Sequence, residues 1–121
     1  ITRASSNTVT VYLNGIAGGT TLEWNEAFAP DAIGTSNNGT RKYFDGRIAQ
    51  VAIWDDVALP EAQVRSIYIQ GLSFDIETTA DDALTNLETG LVHYWVLNGG
   101  VSDSEGISHL TASSDCTATG I

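Results

Sequence analysis

The sequence predicts an all-β fold, a sandwich of antiparallel sheets with one or two short peripheral helices. Three observations carry that prediction. Short apolar runs with strand periodicity recur along the chain, turn-forming Asn-Gly and Gly-Gly pairs separate them, and only residues 60–71 carry a full set of helix start and stop signals.

Residues 8–13, TVTVYL, alternate strictly, with Val9, Val11 and Leu13 on one side and Thr8, Thr10 and Tyr12 on the other, as a half-buried strand requires. Asn14-Gly15 follows at once. This pair tolerates the positive φ angles of a two-residue hairpin turn, so the chain is expected to fold back through Ile16 to Glu23, past Gly18-Gly19. A further short strand is expected at Ala32-Ile33-Gly34, before the turn-forming loop Ser36-Asn37-Asn38-Gly39. The segment 43–56, YFDGRIAQVAIWDD, is the longest apolar-rich stretch and reads as a central strand. Its Ile48, Val51, Ile53 and Trp54 do not keep one parity, which calls for either a bulge near Ala49-Gln50 or cover on both faces.

Pro60 and Glu61 then open a helix of about three turns, with Val64, Ile67 and Tyr68 on one stripe and Gly71 where a C-terminal cap belongs. Residues 79–87 repeat that grammar more weakly, with Thr78 or Thr79 as cap, Asp81 and Asp82 in the first turn, and Ala80, Ala83, Leu84 and Leu87 as the stripe. Residues 91–97, LVHYWVL, read as a strand ended by Asn98-Gly99-Gly100, and 107–112 as another after the loop 102–106.

Composition narrows function by exclusion. Fifteen acidic against five basic side chains give a formal net charge of −10, and such a surface offers no basic footprint for nucleic-acid phosphates. No stretch approaches the roughly 20 consecutive apolar residues of a membrane helix, and no basic-then-apolar leader is read, so no membrane insertion is expected. Cys116 is the single cysteine, and with only His93 and His109 beside it the common zinc spacings are absent.

Four runs together resemble a known family. YLNG at 12–15, IG at 33–34 and FDGRIAQVAIWDDVALPEAQVRSIYIQG at 44–71 resemble the second half of a laminin-G-like, concanavalin-A-like jelly-roll domain, while LVHYWVLNGGVSDSEGISHLTAS at 91–113 resembles its opening. The resemblance implies a jelly-roll β-sandwich assembled out of order. Residues 1–71 would be the second half of a module, 72–90 a linker with a short helix, and 91–121 the opening strands, packing on 1–71. Either a piece of a tandem array or a rearranged module fits. In both, 91–97 could pair with 43–54, and the demand that buried backbone groups be paired favours docking within the same chain. The middle strands of a full module are missing before Ile1, so neighbouring modules, other copies or a longer parent would cover the exposed edge. Two departures from the family pattern stand out: Ala49-Gln50 where many members carry Asp-Glu, and Pro60 where many carry a serine cap.

Catalysis is not expected. A glycosidase needs two carboxylates at matched spacing, and the Glu-x-Asp-x-x-Glu run of related-fold glycosidases is absent. The acids at Asp75, Glu77, Asp81 and Asp82 suit a loop and a helix first turn. Neither histidine lies in a recognisable nucleophile motif. Calcium is the one cofactor the loops would suit, with Asp103 as the central ligand and Asp45 and Asp55 or Asp56 as companions. The alternative is that Asp103 closes a turn on its own backbone. For carbohydrate, Trp24 is the best aromatic platform, with Tyr43, Asn37 and Asn38 as further ligand-binding candidates. Trp54 and Trp95 match the family's structural aromatics. The resemblance implies a structural or adhesion module at a virion surface, such as a phage fibre or capsid decoration, or in an extracellular assembly, contacting host-surface glycans. The alternative is a free-standing module that binds carbohydrate or a cell-surface protein.

Overall fold

The computed structural model describes residues 1–19, 22–28, 30–35, 42–73, 75–76, 87–105 and 110. The expected helix at 79–87 and strand at 107–112 fall almost wholly outside these residues, as do Asn37, Asn38, His109 and Cys116. The described elements are short strands in antiparallel sheets and one helix, consistent with an all-β fold. They are β1 (Thr2–Arg3), β2 (Thr8–Thr10), β3 (Tyr12–Leu13), β4 (Ile16–Ala17), β5 (Leu22–Glu23), β6 (Val51–Trp54), α1 (Glu61–Gln70) followed by a 3-10 turn (Gly71–Ser73), and β7 (Leu91–Trp95). The chain divides into two compact units: Ile1–Asn25 with Ile53–Val92, and Glu26–Ala52 with His93–Ile121.

In the first unit, β1, β2 and β5 form an antiparallel sheet in the order β1-β2-β5, with Thr2 opposite Thr10 and Val9 opposite Leu22. The β1–β2 turn is closed by the Asn7 N–H donating to the Ala4 carbonyl and the Ala4 N–H donating to the Thr8 carbonyl, with Asn7 at φ 62°. The expected single strand over 8–13 is instead two. β2 pairs with β1 and β5, whereas β3 pairs with β4, so the ladder changes partners at Val11, whose carbonyl accepts from the Gly18 N–H. The strict apolar alternation therefore does not become an alternation of burial: Val11 and Leu13 are exposed and Thr8, Val9 and Thr10 are all half-buried.

The Asn14-Gly15 hairpin forms as expected. Leu13 and Ile16 face each other across it, with φ of 54° at Asn14 and 75° at Gly15, the signature of a tight two-residue turn. Gly15 is also a packing position, since a Cβ there would stand 3.0 Å from both the Arg65 Cα and the Tyr68 Cβ of α1. Gly15→Ala is accordingly expected to lower stability by about 1–2 kcal/mol from the left-handed backbone alone, a shift readable in a urea melt.

α1 also follows its sequence signals. Pro60 precedes it in extended conformation, its carbonyl accepting from the Gln63 and Val64 N–H groups, and Gly71 ends it at φ 67° with its N–H donated to the Ile67 carbonyl. Val64 and Ile67 are half-buried, but Tyr68 stays largely exposed. Among the described residues of this unit, Leu59, Ile76, Leu87 and Leu91 are buried apolar residues. The Trp54 indole N–H donates to the Leu87 carbonyl at 2.6 Å, tying β6 to the turn that leads into β7. That turn passes through Gly90 at φ 78°.

β6 pairs with β7. The ladder continues past the strand ends in both units: the Asp55 N–H donates to the Gly90 carbonyl, and the Gln50 N–H donates to the Val96 carbonyl, an antiparallel progression. The long central strand expected over 43–56 is confined to β6. Positive φ angles at Gln50 (53°) and Asp56 (58°) turn the backbone out of extended geometry on either side, and the irregularity expected near Ala49-Gln50 falls at Gln50. Ala32-Ile33-Gly34 is not a strand. Gly34 sits at φ 74° and its carbonyl accepts one bond, from the Phe44 N–H at 2.7 Å. Among the described residues, the second unit buries Tyr94, Trp95 and the charged Asp103.

Candidate functional site

Two places collect polar and aromatic chemistry, one in each unit. In the first, the β2–β5 ladder runs one step past Thr8 and Glu23, because the Trp24 N–H donates to the Asn7 carbonyl at 2.9 Å. Trp24 thus has a backbone fixed by the sheet while the residue keeps 54% of its surface exposed. The neighbouring strand carries polar side chains, with the Ser6 Oγ and the Oγ1 of half-buried Thr8 hydrogen-bonded at 3.0 Å and Asn7 exposed between them. An exposed indole on a sheet edge can stack an apolar face of a ligand, and polar side chains on the neighbouring strand can hydrogen-bond its rim. The sequence marked Trp24 for its polar setting. It did not reveal that Asn7 would be opposite, since that depends on the register of β2 against β5.

In the second unit, Asp103 is the organising residue. Its side chain is fully buried, with Oδ1 accepting from the Tyr94 N–H at 2.9 Å and Oδ2 lying 2.6 Å from the His93 Nδ1. The carboxylate accepts, so Nδ1 carries the proton of that short contact. The loop is clamped a second time by Ser104, whose N–H and Oγ both donate to the Tyr94 carbonyl, at 2.9 and 3.1 Å. On the other side His93 stacks on Trp95, with ring centroids 5.2 Å apart and planes inclined by 21°. Asp103 thus bonds to β7 as well as standing in its own loop. It reaches ten residues back to β7, and both carboxylate oxygens are engaged there.

The remaining candidates lie apart from this arrangement. Asp45 and Asp55 are exposed, and the Asp55 carboxylate accepts from the Asp56 N–H. Among the described residues no three acid, histidine or cysteine side chains come together as a metal site would need. Tyr43 is exposed in the second unit, whereas Trp24 belongs to the first. Trp95 is buried and Trp54 half-buried with its indole N–H engaged, as expected of structural aromatics. An aspartate-oriented imidazole is also half of a nucleophile-activating pair, but Ser104, the hydroxyl next to Asp103 in sequence, spends its proton on the Tyr94 carbonyl. No helix among the described residues is long and apolar enough to cross a membrane.

No curated protein and no solved structure matches the chain. Residues 1–65 match a laminin G family model described as the concanavalin A-like lectin/glucanases superfamily. That match spans more than half of the 121 residues, and the chain belongs to this laminin-G-like family of the concanavalin A-like superfamily.

Proposed function

We propose that the protein is a non-catalytic recognition module of a virion surface or other extracellular assembly, and that it contacts glycans through the edge formed by Trp24 and the Ser6-Asn7-Thr8 turn. The observation that carries this reading is the combination at Trp24 of a sheet-fixed backbone and an exposed residue, in register with the polar Ser6-Asn7-Thr8 segment. A pyranose offers C–H faces to an indole and hydroxyls to polar side chains, so an aromatic edge paired with a polar strand segment suits its chemistry. Membership of a family rich in binding modules agrees with this.

The same reading places the strands in a jelly-roll sandwich whose second layer covers apolar side chains now facing outward. Leu13, Ile16 and Leu22 keep 76%, 64% and 58% of their surface exposed although each lies in a strand. Neighbouring modules or other copies in the assembly would supply that cover.

Trp24→Ala is the test, read on a glycan array against the unaltered chain. Binding is expected to weaken by about tenfold or more, since a stacked ring contributes about 0.5–1.5 kcal/mol beyond the area it buries. Stability should change by about 1 kcal/mol or less, because the residue is largely exposed. Glycan binding unchanged by Trp24→Ala would overturn the assignment of this edge. Ordered oligomers by light scattering without any glycan binding would leave only the assembly role.

A further inference from the structure

We infer that Asn98 is a self-modifying position, converting spontaneously to aspartate and isoaspartate in the folded protein while the other described Asn-Gly pair, Asn14-Gly15, is held inert by the fold. The chemistry needs only water. The deprotonated backbone nitrogen of Gly99 attacks the Asn98 Cγ, the N–Cγ bond forms as the Cγ–Nδ2 bond breaks, and ammonia leaves with the proton. A five-membered succinimide results. Water then opens one of its two carbonyls, giving aspartate, or isoaspartate with the main chain routed through the former side chain. A following glycine favours the attack because no Cβ obstructs the approach to its nitrogen.

The two sites share a left-handed glycine, φ 75° at Gly15 and 78° at Gly99, and differ in strand pairing and burial. Asn14 and Gly15 are fixed in a two-residue turn paired on both sides, and Gly15 is buried so close to Arg65 and Tyr68 of α1 that an added Cβ would stand 3.0 Å from each. Bringing the Gly15 nitrogen onto the Asn14 Cγ would require opening that hairpin. Asn98-Gly99-Gly100 lies beyond the end of β7, all three residues are exposed, and a Cβ at Gly100 would meet nothing within 4 Å. Leu97 just before it holds φ 56°, a left-handed conformation that a branched side chain adopts at a cost, and rearrangement at Asn98 can relax it. Val96, Leu97, Asn98, Gly100, Ser102 and Ser104 border an open groove of about 200 Å³, which admits the one water that opens the ring.

Conversion adds a negative charge to the wall of that groove. In the isoaspartate product it also lengthens the loop that delivers Asp103 to β7.

The test incubates the full-length chain, folded and in urea, at mildly alkaline pH and follows each Asn-Gly site separately by peptide mass spectrometry with fragmentation that distinguishes isoaspartate. In urea all sites should convert at similar rates. In the folded chain Asn14 should slow by about tenfold or more relative to urea, the factor set by opening the hairpin first, and the exposed Asn98 should convert faster than Asn14. N98Q should remove the corresponding acidic species on isoelectric focusing without altering the fate of Asn14. An Asn98 that stays intact in the folded chain while converting in urea would refute the proposal, as would an Asn14 that converts as fast as Asn98.

Discussion

Gly90→Ala is expected to destabilise the protein by about 2–5 kcal/mol, enough to remove much of the stability of a small domain. Two independent costs add. Gly90 holds φ 78°, where an L side chain pays about 1–2 kcal/mol, and the new Cβ would stand 2.5 Å from the Val57 Cγ2 and 2.8 Å from the Asp55 carbonyl oxygen. The second neighbour is backbone and cannot swing aside. Its own residue is tied to the same glycine, because the Asp55 N–H donates to the Gly90 carbonyl, so relieving the clash pulls on the bond that continues the β6–β7 ladder. Overpacking of this kind costs about 1–3 kcal/mol in addition to the backbone term. Gly100→Ala is the matched control: it lies in open space and should change stability by about 0.5 kcal/mol or less. Urea melts of the two variants separate a steric requirement at position 90 from a general intolerance of alanine for glycine. Equal midpoints would show that the 87–90 turn yields and that the close approach carries no energy.

Legibility in the sequence followed the range of the interaction. The Asn14-Gly15 turn and the Pro60 to Gly71 helix were readable because their signals are local: a pair of residues fit for positive φ, and a start and stop at fixed offsets. The break at Val11 was not readable. TVTVYL is a faultless strand pattern, and what divides it is that its two halves find different partners, β1 and β5 for one and β4 for the other. At 43–56 the lost parity announced an irregularity, and Gln50 supplies it, but nothing local said that only Val51–Trp54 would remain in the ladder. Of the candidate site, Trp24 was visible as an aromatic in a polar setting, whereas its bond to Asn7 depends on register. Asp103 was singled out by sequence, since an aspartate in Asp-Ser-x-Gly signals a turn or a cation ligand, but its bonds to His93 and Tyr94 became definable only when the loop folded back ten residues onto β7.

Asp103→Ala should therefore cost about 2–4 kcal/mol, and its loss should be felt first in β7. The substitution leaves the Tyr94 N–H buried without its acceptor, a penalty of about 1–3 kcal/mol, and it also removes the bond to the His93 ring, about 1 kcal/mol more. Because Ser104 bonds twice to the Tyr94 carbonyl, the loop stays tethered, and hydrogen exchange should show the Tyr94 amide losing more protection than the Ser104 amide. Asp103→Asn discriminates what the carboxylate supplies. Its Oδ1 can still accept from Tyr94, and its amide can donate to the His93 Nδ1 once the imidazole shifts its proton to Nε2, so a neutral network of the same shape survives. The asparagine variant should accordingly keep more than half of the stability that alanine forfeits. If both variants fall equally, the negative charge rather than the hydrogen-bond geometry holds the loop. If alanine costs nothing, Asp103 is buried there without anchoring β7, and the carboxylate returns to consideration as a ligand for a cation.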